Sequence, residues 1–200
     1  GDNGRFLRQA WEVSRIKTSF ATRSTEDAAG SGRRWFPYNK GGAFRKWYGN
    51  FDLVVDWEDN GRRVRARGTL RNQGFYFREG ITWTDVSSGS FGARYLPPGF
   101  LCDNSGSACY GDTAMLSSAL AFLCSSTASE MLKVLNPTMH FQAGNIADLP
   151  LCQIESEALE AIVSRAMATS RADWDSFETS WVFGTSLLIV ERSVKLAAVA

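Results

Sequence analysis

The spacing of hydrophobic residues predicts helices in three parts of the chain. The clearest pattern covers residues 112–136, where Asp112 precedes apolar residues that recur every three or four positions. Because this helix is apolar on most of its circumference, we expect it to be buried against a sheet. A second helix is predicted over residues 155–172, and a weaker pattern predicts a helix over residues 5–22.

Extended segments and turns lie between the predicted helices. Residues 51–57 form a largely apolar run that is typical of a strand, and Asp59-Asn60-Gly61 supplies turn chemistry directly after it. Two further strands are predicted over residues 75–86 and 91–102. The second of these strands is interrupted at Pro97-Pro98-Gly99, because proline cannot donate to a strand ladder.

The order of these elements predicts an α+β fold rather than a regular alternation of strands and helices. We expect a mixed or antiparallel sheet packed on the long buried helix, with a C-terminal helical segment. The chain is divided into an N-terminal helix and linker (1–32), a central domain (33–154) and a C-terminal helical segment and tail (155–200). Residues 23–33 are polar and glycine-rich, which is typical of a loop.

The net charge of the chain conceals a strong segregation of charge. The 200 residues are 44% hydrophobic and 22% charged, with a formal net charge of +1, which argues against a uniformly cationic nucleic-acid binder. However, residues 33–71 contain ten basic and four acidic side chains, a balance of +6, whereas residues 72–149 and 150–200 each sum to −3. This segregation indicates either a localised binding field or a solvated basic face.

No catalytic motif is recognisable in the sequence. The sequence has one histidine, His140, and no Cys-x-x-Cys pair, so a zinc site of known spacing has no support. We interpret His140 as a residue that packs on its neighbours where a helix ends. The carboxylates of Asp52, Asp56, Glu58 and Asp59 are of the type that holds Mg²⁺ in nucleases, but no Glu-x-Lys follows them. A nuclease is therefore the least favoured interpretation.

The cysteines and the lack of targeting segments predict a cytoplasmic location. No Cys-x-x-Cys pair occurs among the four cysteines, and Cys124 and Cys152 are expected to be small core residues with free thiols. No signal peptide opens the sequence, and no apolar stretch approaches the ~20 residues of a membrane span. The sequence begins at Gly1 without a methionine, from which we expect a part of a longer protein.

A basic, aromatic block over residues 33–50 is the main candidate for binding. Its rings and cations surround Gly41-Gly42, so that rings can stack on bases, cations can hold phosphates, and glycine N–H groups can approach a phosphate closely. We expect most of the rings to be packed and most of the Arg and Lys side chains to be available. If residues 62–67 are extended, their three alternate arginines share one face.

The same block closely resembles the C-terminal part of PglX-type enzymes, the adenine-specific DNA methyltransferases of BREX phage-defence systems. The resemblance is carried by WFPYNKGGAFRKWYGNFDLVVDWE at 35–58, FREGITW at 77–83 and WDSFETSW at 174–181, and it extends over residues 5–183. The apolar helix and the GNI segment at 144–146 are also similar to target-recognition domains of type I specificity subunits and TaqI-like methyltransferases.

This resemblance implies a target-recognition-domain-like fold and a DNA-binding role within an S-adenosylmethionine-dependent adenine-N6 methyltransferase. In that family an upstream catalytic domain carries the glycine-rich S-adenosylmethionine site and an Asn-Pro-Pro-Tyr loop for the flipped adenine. Neither motif occurs in this sequence, where Leu96-Pro97-Pro98-Gly99 lacks both the Asn and the aromatic residue. The implied partners are duplex DNA, the upstream methyltransferase domain of the same chain and other defence-system proteins.

The candidate DNA-binding residues are mainly the basic, aromatic and glycine positions of the block. They are Arg33, Arg34, Tyr38, Lys40, Gly41, Gly42, Arg45, Lys46, Tyr48, Arg78 and Asn145. The alternative function is a protein-interaction domain that tethers the methyltransferase to other defence components. In that case Trp174, Phe177 and Trp181 form an exposed interface.

Overall fold

The computed structural model describes residues 3–68, 70, 72–87, 89–103, 106–136, 138–154 and 156–185. Its strands are β1 (Leu7–Gln9), β2 (Trp35–Asn39), β3 (Leu53–Asp56), β4 (Gly80–Trp83), β5 (Ala93–Leu96), β6 (Leu101–Cys102) and β7 (Ala108–Cys109). Its helices are α1 (Asn3–Phe6), α2 (Thr25–Gly30), α3 (Glu58–Arg65), α4 (Thr113–Leu123), α5 (Ser126–Leu135), α6 (Ala143–Ala147) and α7 (Glu157–Asp175). The predicted α+β class is confirmed.

The strands form a mixed sheet and an antiparallel sheet. In the first sheet the order is β1-β3-β2-β6, with antiparallel pairing throughout except for the parallel pair of β2 and β6. In the second sheet the order is β5-β4-β7 and both pairs are antiparallel. The prediction of mixed or antiparallel pairing is therefore confirmed.

The second sheet packs against α4 and forms the largest core. Ile81 and Trp83 of β4 are almost fully buried against Leu120 and Leu123 of α4. The indole nitrogen of Trp83 donates a hydrogen bond to the carbonyl oxygen of Phe141 at 2.7 Å. This bond satisfies the polar atom of a large buried ring, which would otherwise cost free energy.

Two smaller clusters join the first sheet to the rest of the chain. Phe36, Val55 and Leu101 pack with Phe77 beneath the first sheet. A separate aromatic cluster includes Trp174 at the end of α7, which is 7% exposed. Strand β1, from the N-terminal segment, pairs with β3 of the predicted central domain. The division of the chain into three parts at residues 32 and 154 stays a prediction.

The prediction of a helix over residues 5–22 is wrong. Only Asn3–Phe6 is α-helical there; Leu7–Gln9 then forms the edge strand β1, and short 3-10 turns follow. The apolar residues that suggested a helical stripe do not share one buried face, since Trp11 and Ile16 are 55% and 80% exposed. Strand pairing therefore outweighs a weak helical pattern.

The prediction that residues 23–33 form only a loop is also wrong. Helix α2 lies inside this segment, and the Ser24 hydroxyl caps it by accepting a hydrogen bond from the backbone N–H of Asp27. A Ser followed three residues later by an acidic residue is a helix-start signal, so local capping chemistry explains the difference.

The long apolar helix is two helices. As predicted, Asp112 caps its start and accepts a hydrogen bond from the backbone N–H of Met115 at 2.8 Å. The helix ends at Leu123, and Ser125 caps the start of α5 by accepting from the backbone N–H of Ala128. The second predicted helix is confirmed as α7.

The two cysteines that were expected in the core differ. Cys124 is buried as predicted, whereas Cys152 is exposed, so its prediction is wrong.

The turn predicted at Asp59-Asn60-Gly61 is confirmed, with all three residues in the left-handed region at φ angles of 51°, 54° and 71°. The chain then coils helically, so the condition for a shared face of alternate arginines over residues 62–67, an extended backbone, is not met. The predicted strand over residues 75–86 is shorter than expected and comprises only β4. The predicted break at Pro97-Pro98-Gly99 separates β5 from β6.

Gly61 fixes this turn against Trp57, which leads to a stability prediction. A Cβ on Gly61 would lie 2.7 Å from two carbons of the Trp57 ring, in a backbone conformation that disfavours other residues. We expect Gly61→Ala to lower the free energy of unfolding by about 1–3 kcal/mol in urea titrations. Gly30→Ala is the control, because nothing lies within 4 Å of its Cβ position. Equal losses for both variants would contradict this account.

Candidate nucleic-acid interface

A buried carboxylate organises the arginines of the basic block. Asp56 ends β3 and is only 2% exposed, and its Oδ2 accepts hydrogen bonds from Nη2 of Arg34 and Nη1 of Arg63, both at 2.8 Å. The side chains of Arg34 and Arg63 remain 37% and 44% exposed. The hydrogen bond to Asp56 raises the pKa of Arg34 above its usual value. The carboxylate therefore orients two guanidinium groups that still face solvent.

Two more arginines lie next to this pair because the left-handed turn reverses the chain. Arg62 pairs with Asp59 at 3.0 Å, and Arg65 lies over the Trp57 ring while it donates to Gln73 at 2.8 Å. We call Arg33, Arg34, Arg62, Arg63, Arg65 and Arg67 the arginine cluster. These six basic residues at 33–34 and 56–67 accompany three acidic ones, which leaves a local charge of +3.

Arg33 and Arg67 are the freest cations of this surface. Both are exposed, and within the described part of the chain neither side chain has a carboxylate partner within ion-pair distance. Arg62, Arg63 and Arg65 were missed as candidates, since this stretch falls where the resembled family is expected to vary. The Asp-Asn-Gly turn directly before them is the signal that brings these arginines back to β3.

The glycine loop, residues 40–42, is held from two sides. Gly41 and Gly42 have φ angles of 84° and 132°, and a Cβ on Gly42 would lie 2.8 Å from the Asn50 amide nitrogen. Asn50 donates to the carbonyl oxygen of Ala43 at 2.7 Å, and the Thr84 hydroxyl donates to that of Gly42 at 3.0 Å. Gly41 is buried, Lys40 is half-buried and Gly42 is exposed, so only part of this loop is open to a ligand.

Arg45 and Lys46 are used in packing more than the sequence predicted. Arg45 pairs with Asp173 at 2.9 Å, and its guanidinium lies 5.0 Å from the Trp174 ring centroid. Lys46 donates to the carbonyl oxygen of Cys124, between α4 and α5, at 2.7 Å. The expectation that the cations are mostly available is therefore wrong for Arg45 and Lys46, whereas Arg34 pairs with Asp56 and stays partly exposed. The rings are not uniformly packed either, since Phe44 is 52% exposed.

Tyr48, also a candidate, is half-buried in the aromatic cluster. Its ring makes an edge contact with Phe51 at 5.1 Å, and Arg171 of α7 lies over it. Burial raises the pKa of the Tyr48 phenol, which is therefore a neutral hydrogen-bonding group at physiological pH. Arg45 and Tyr48 thus face α7, and Lys46 faces the junction of α4 and α5, rather than the arginine cluster.

A further candidate, Tyr38, lines a cleft of about 800 Å³ together with Tyr76, Tyr110 and Asp103, and Arg78 is connected to this cleft only through the ring of Phe75. We call this cleft the tyrosine cleft. Burial raises the pKa of Tyr38, and Arg78 lies over the ring of Phe75, which stacks on Tyr110 at 4.8 Å. A half-exposed ring with an adjacent guanidinium is suited to stacking on a planar group.

The last candidate, Asn145, has a structural role at the start of α6. Its side-chain oxygen accepts a hydrogen bond from the backbone N–H of Gln142 at 3.1 Å, which completes a capping box. The eleven candidates therefore lie in several places: at the arginine cluster, the glycine loop, the C-terminal helices, the tyrosine cleft and α6.

Most of the C-terminal aromatic residues are packed. Trp174 belongs to the aromatic cluster, and Trp181 lies 4.9 Å from the Phe20 ring and 5.8 Å from the Phe100 ring, measured between centroids. Phe177 is 49% exposed. Of the three rings proposed as an exposed tethering interface, only Phe177 has that exposure.

Gly30 and Gly32 have the spacing that is most similar to a glycine-rich nucleotide-binding loop. No atom lies within 4 Å of either Cβ position, so close packing does not require glycine there. No group of three or more His, Cys, Asp and Glu side chains suited to a metal occurs in the described ranges. No helix in those ranges is long and apolar enough to span a membrane.

Comparison with known proteins adds to this geometry. Over 199 aligned positions, which cover 94% of this chain, it is 42% identical to the adenine-specific methyltransferase PglX of Lacticaseibacillus casei (strain Zhang). It is 39% identical over 192 positions to the adenine-specific methyltransferase BrxX of Escherichia coli O9:H4 (strain HS). The chain is similar to one segment of these methyltransferases. It spans only 16% and 15% of their lengths, and no protein-family model matches it.

These matches confirm the resemblance to PglX-type enzymes and place the +3 surface within the similar segment. Both relatives are named as adenine-specific methyltransferases. The role of this segment within such an enzyme stays a proposal.

The shared contact with Asp56 predicts a non-additive loss of stability. Replacing either Arg34 or Arg63 by Met leaves the buried carboxylate with one partner, and we expect each change to cost about 1 kcal/mol. Replacing both leaves a buried charge unpaired, so the double variant should lose about 1–2 kcal/mol more than the sum. Urea unfolding of the four proteins measures this coupling.

Arg62→Met is the matched control, because Arg62 pairs with the exposed Asp59. Its cost should stay within about 0.5 kcal/mol. Strictly additive losses for Arg34 and Arg63 would show that Asp56 does not couple them.

Proposed function

We propose that this chain is the DNA target-recognition part of an S-adenosylmethionine-dependent adenine-N6 methyltransferase of a BREX phage-defence system. The observation that carries the proposal is the arginine cluster, which keeps an excess of exposed positive charge at the start of β2 and the end of β3. In this proposal the chain docks on duplex DNA in the cytoplasm. Other parts of the longer enzyme bind the cofactor, flip the adenine and transfer the methyl group.

The geometry of Arg34 and Arg63 suits phosphate binding. A guanidinium presents its donors in a planar fork that matches phosphate oxygens, and Asp56 fixes the direction of both forks before any ligand arrives. Because these side chains are already ordered, less rotamer entropy is lost on binding. One carboxylate cannot neutralise two cations, so the pair retains a positive charge for the DNA backbone.

Sequence reading requires side chains at base edges as well as phosphate contacts. Phosphate contacts at the arginine cluster would set the register of the chain on the duplex. The tyrosine cleft, with Arg78 and Phe75 at its border, supplies planar groups and neutral phenols as candidates for a second contact region. Of the eleven candidate DNA-binding residues predicted from the sequence, Arg33 and Arg34 lie at the arginine cluster, and Tyr38 and Arg78 lie at or next to the tyrosine cleft.

The alternative function, a tether to other defence proteins, stays a prediction. Trp174 and Trp181 are packed against the aromatic cluster, and Phe177 and Val182 are about half exposed. No feature described here favours this alternative over DNA binding.

The salt dependence of duplex binding tests the proposal. Fluorescence anisotropy with the 200-residue chain should give an affinity that falls as salt rises, with a slope of about −0.9 in log K against log[salt] per phosphate contact. Arg67→Gln should reduce the magnitude of the slope by about one contact, and Arg33→Gln/Arg67→Gln by about two.

The matched control is Arg165→Gln, which removes an equally exposed charge from α7. It should leave the slope unchanged if binding is local to the arginine cluster. A wild-type slope near zero contradicts DNA binding, and equal effects of Arg67→Gln and Arg165→Gln contradict the assigned surface.

A further inference from the structure

Arg94 is a buried cation without an anionic partner. It lies in β5 and is 1% exposed, yet Nη2 makes only a long hydrogen bond of 3.5 Å to the Thr84 hydroxyl, and Nε has no partner. Within the described ranges, no carboxylate oxygen lies within 4.0 Å of this guanidinium. A guanidinium offers five N–H donors, so the unpartnered Nε and the long Nη2 bond leave donor capacity for a ligand.

A buried, unpaired charge is costly, and the surroundings of Arg94 increase that cost. Burial lowers the pKa of Arg94 to about 10, with a further contribution from the nearby positive charge of Arg45. The group is nevertheless cationic at neutral pH. Buried charges in proteins are normally paired, so this one is expected to have a ligand that supplies acceptor oxygens.

The space next to Arg94 has room for a single small group. A void of about 10 Å³ is lined by Arg94, Thr84, Ser87, Ser90 and Phe44. This is about the volume that one water molecule, or one oxygen atom of a ligand, requires. The hydroxyl groups of the lining serines add hydrogen-bonding capacity beside the guanidinium.

The void adjoins a larger open groove of about 770 Å³ beside α5. We call this the α5 groove. It shares Phe44 and Ser90 with the void. Its own polar lining includes Lys46, Ser126, Ser129 and the ion pair of Lys133 with Glu130, in which the lysine balances the carboxylate of the groove. Ser126 and Ser129 belong to the first turns of α5, where the helix dipole favours negative charge. The groove therefore supplies room for the rest of an anionic ligand.

Phe44 forms the boundary between the void and the α5 groove. Its ring is 52% exposed, although it lies against Gly92, where an added Cβ would be 3.1 Å from the ring. A half-exposed ring at this position can rotate outward with little loss of burial. That rotation would connect the void to solvent.

We propose that Arg94, the adjacent void and the α5 groove form a phosphate-binding site. One phosphate oxygen would replace the contents of the void and accept hydrogen bonds from the Arg94 guanidinium. Lys46 and the hydroxyls of the α5 groove would contact the remaining oxygens. The phosphate group belongs either to the DNA backbone or to a small phosphate-bearing molecule, and the site does not depend on the DNA-binding proposal above.

Nuclear magnetic resonance of the arginine side chains tests this site directly. The Nε–H signal of Arg94 is assigned by its loss in Arg94→Lys and followed in the 200-residue chain during titration with inorganic phosphate at constant ionic strength. We expect a saturable shift of this signal. An unlabelled duplex is titrated separately, and phosphate is then added to it as a competitor.

The two titrations separate the sources. A shift with duplex that phosphate reverses supports the site with DNA phosphate as its ligand. A shift with phosphate but not with duplex supports the site with a small ligand, even if the salt-dependence experiment fails. If neither phosphate nor duplex moves the Arg94 signal, the proposal is wrong and the void is only hydrated.

Two variants extend the test. Arg94→Met should weaken phosphate binding at least about tenfold, the size of one lost charge-assisted hydrogen bond, as measured by the phosphate-dependent increase in Tm. Arg165→Met is the matched control and should keep the wild-type increase. If Arg94→Met does not fold, Phe44→Ala provides the test. Removal of the boundary ring should strengthen phosphate binding, because it opens the void to the α5 groove. Weaker or unchanged phosphate binding would contradict the proposed site.

Discussion

The relative placement of the two sheets depends on the buried amide of Asn39. This residue ends β2, is fully buried, and donates hydrogen bonds to the Thr82 hydroxyl of β4 at 2.7 Å and to the Gly106 carbonyl oxygen at 3.0 Å. The Thr82 hydroxyl in turn donates to the carbonyl oxygen of Ser107 at 2.8 Å. Because water cannot substitute for these bonds, a shift of one sheet against the other would leave buried polar groups unpaired. The glycine loop follows Asn39 immediately, and the Thr84 hydroxyl after β4 donates to the Gly42 carbonyl oxygen, so the amide and this second bond together hold the loop against the second sheet.

Two buried ionic groups on either side of this junction have opposite character. Asp56 is a buried anion with two cationic partners, whereas Arg94 is a buried cation with no anionic partner among the described residues. Both arrangements leave positive charge that the protein itself does not neutralise. The first directs this charge outward through Arg34 and Arg63, and the second holds it beneath the surface next to a void. An anionic ligand is the common solution to both imbalances, since the free energy of a buried or crowded charge falls most when an opposite charge arrives.

The sequence predicted features that rest on local chemistry and failed where distant residues decide. Asp112 and Pro97-Pro98-Gly99 act on neighbouring backbone groups, so a helix start and a strand break could be predicted from them. Leu7–Gln9 is a strand only because β3 lies beside it, a pairing across more than forty positions that no local pattern contains. For the candidate site, the basic block itself could be recognised from composition and resemblance. The partners of Arg34, Arg45 and Lys46 could not, since Asp56, Asp173 and Cys124 reach them only through the tertiary fold.

The contact between the basic block and α7 explains part of the charge segregation along the chain. Residues 150–200 sum to −3, and Asp173 from this acidic segment neutralises Arg45 at the end of the basic block. The pairing attaches α7 to the block, with Arg45 also lying over the Trp174 and Phe177 rings. The acidic segment therefore removes charge from the side of the block that packs against α7. The arginine cluster on β3 and the turn after it keeps its excess. A chain with a net charge of only +1 can in this way present a local surface of +3, because its compensating carboxylates are placed elsewhere in the fold.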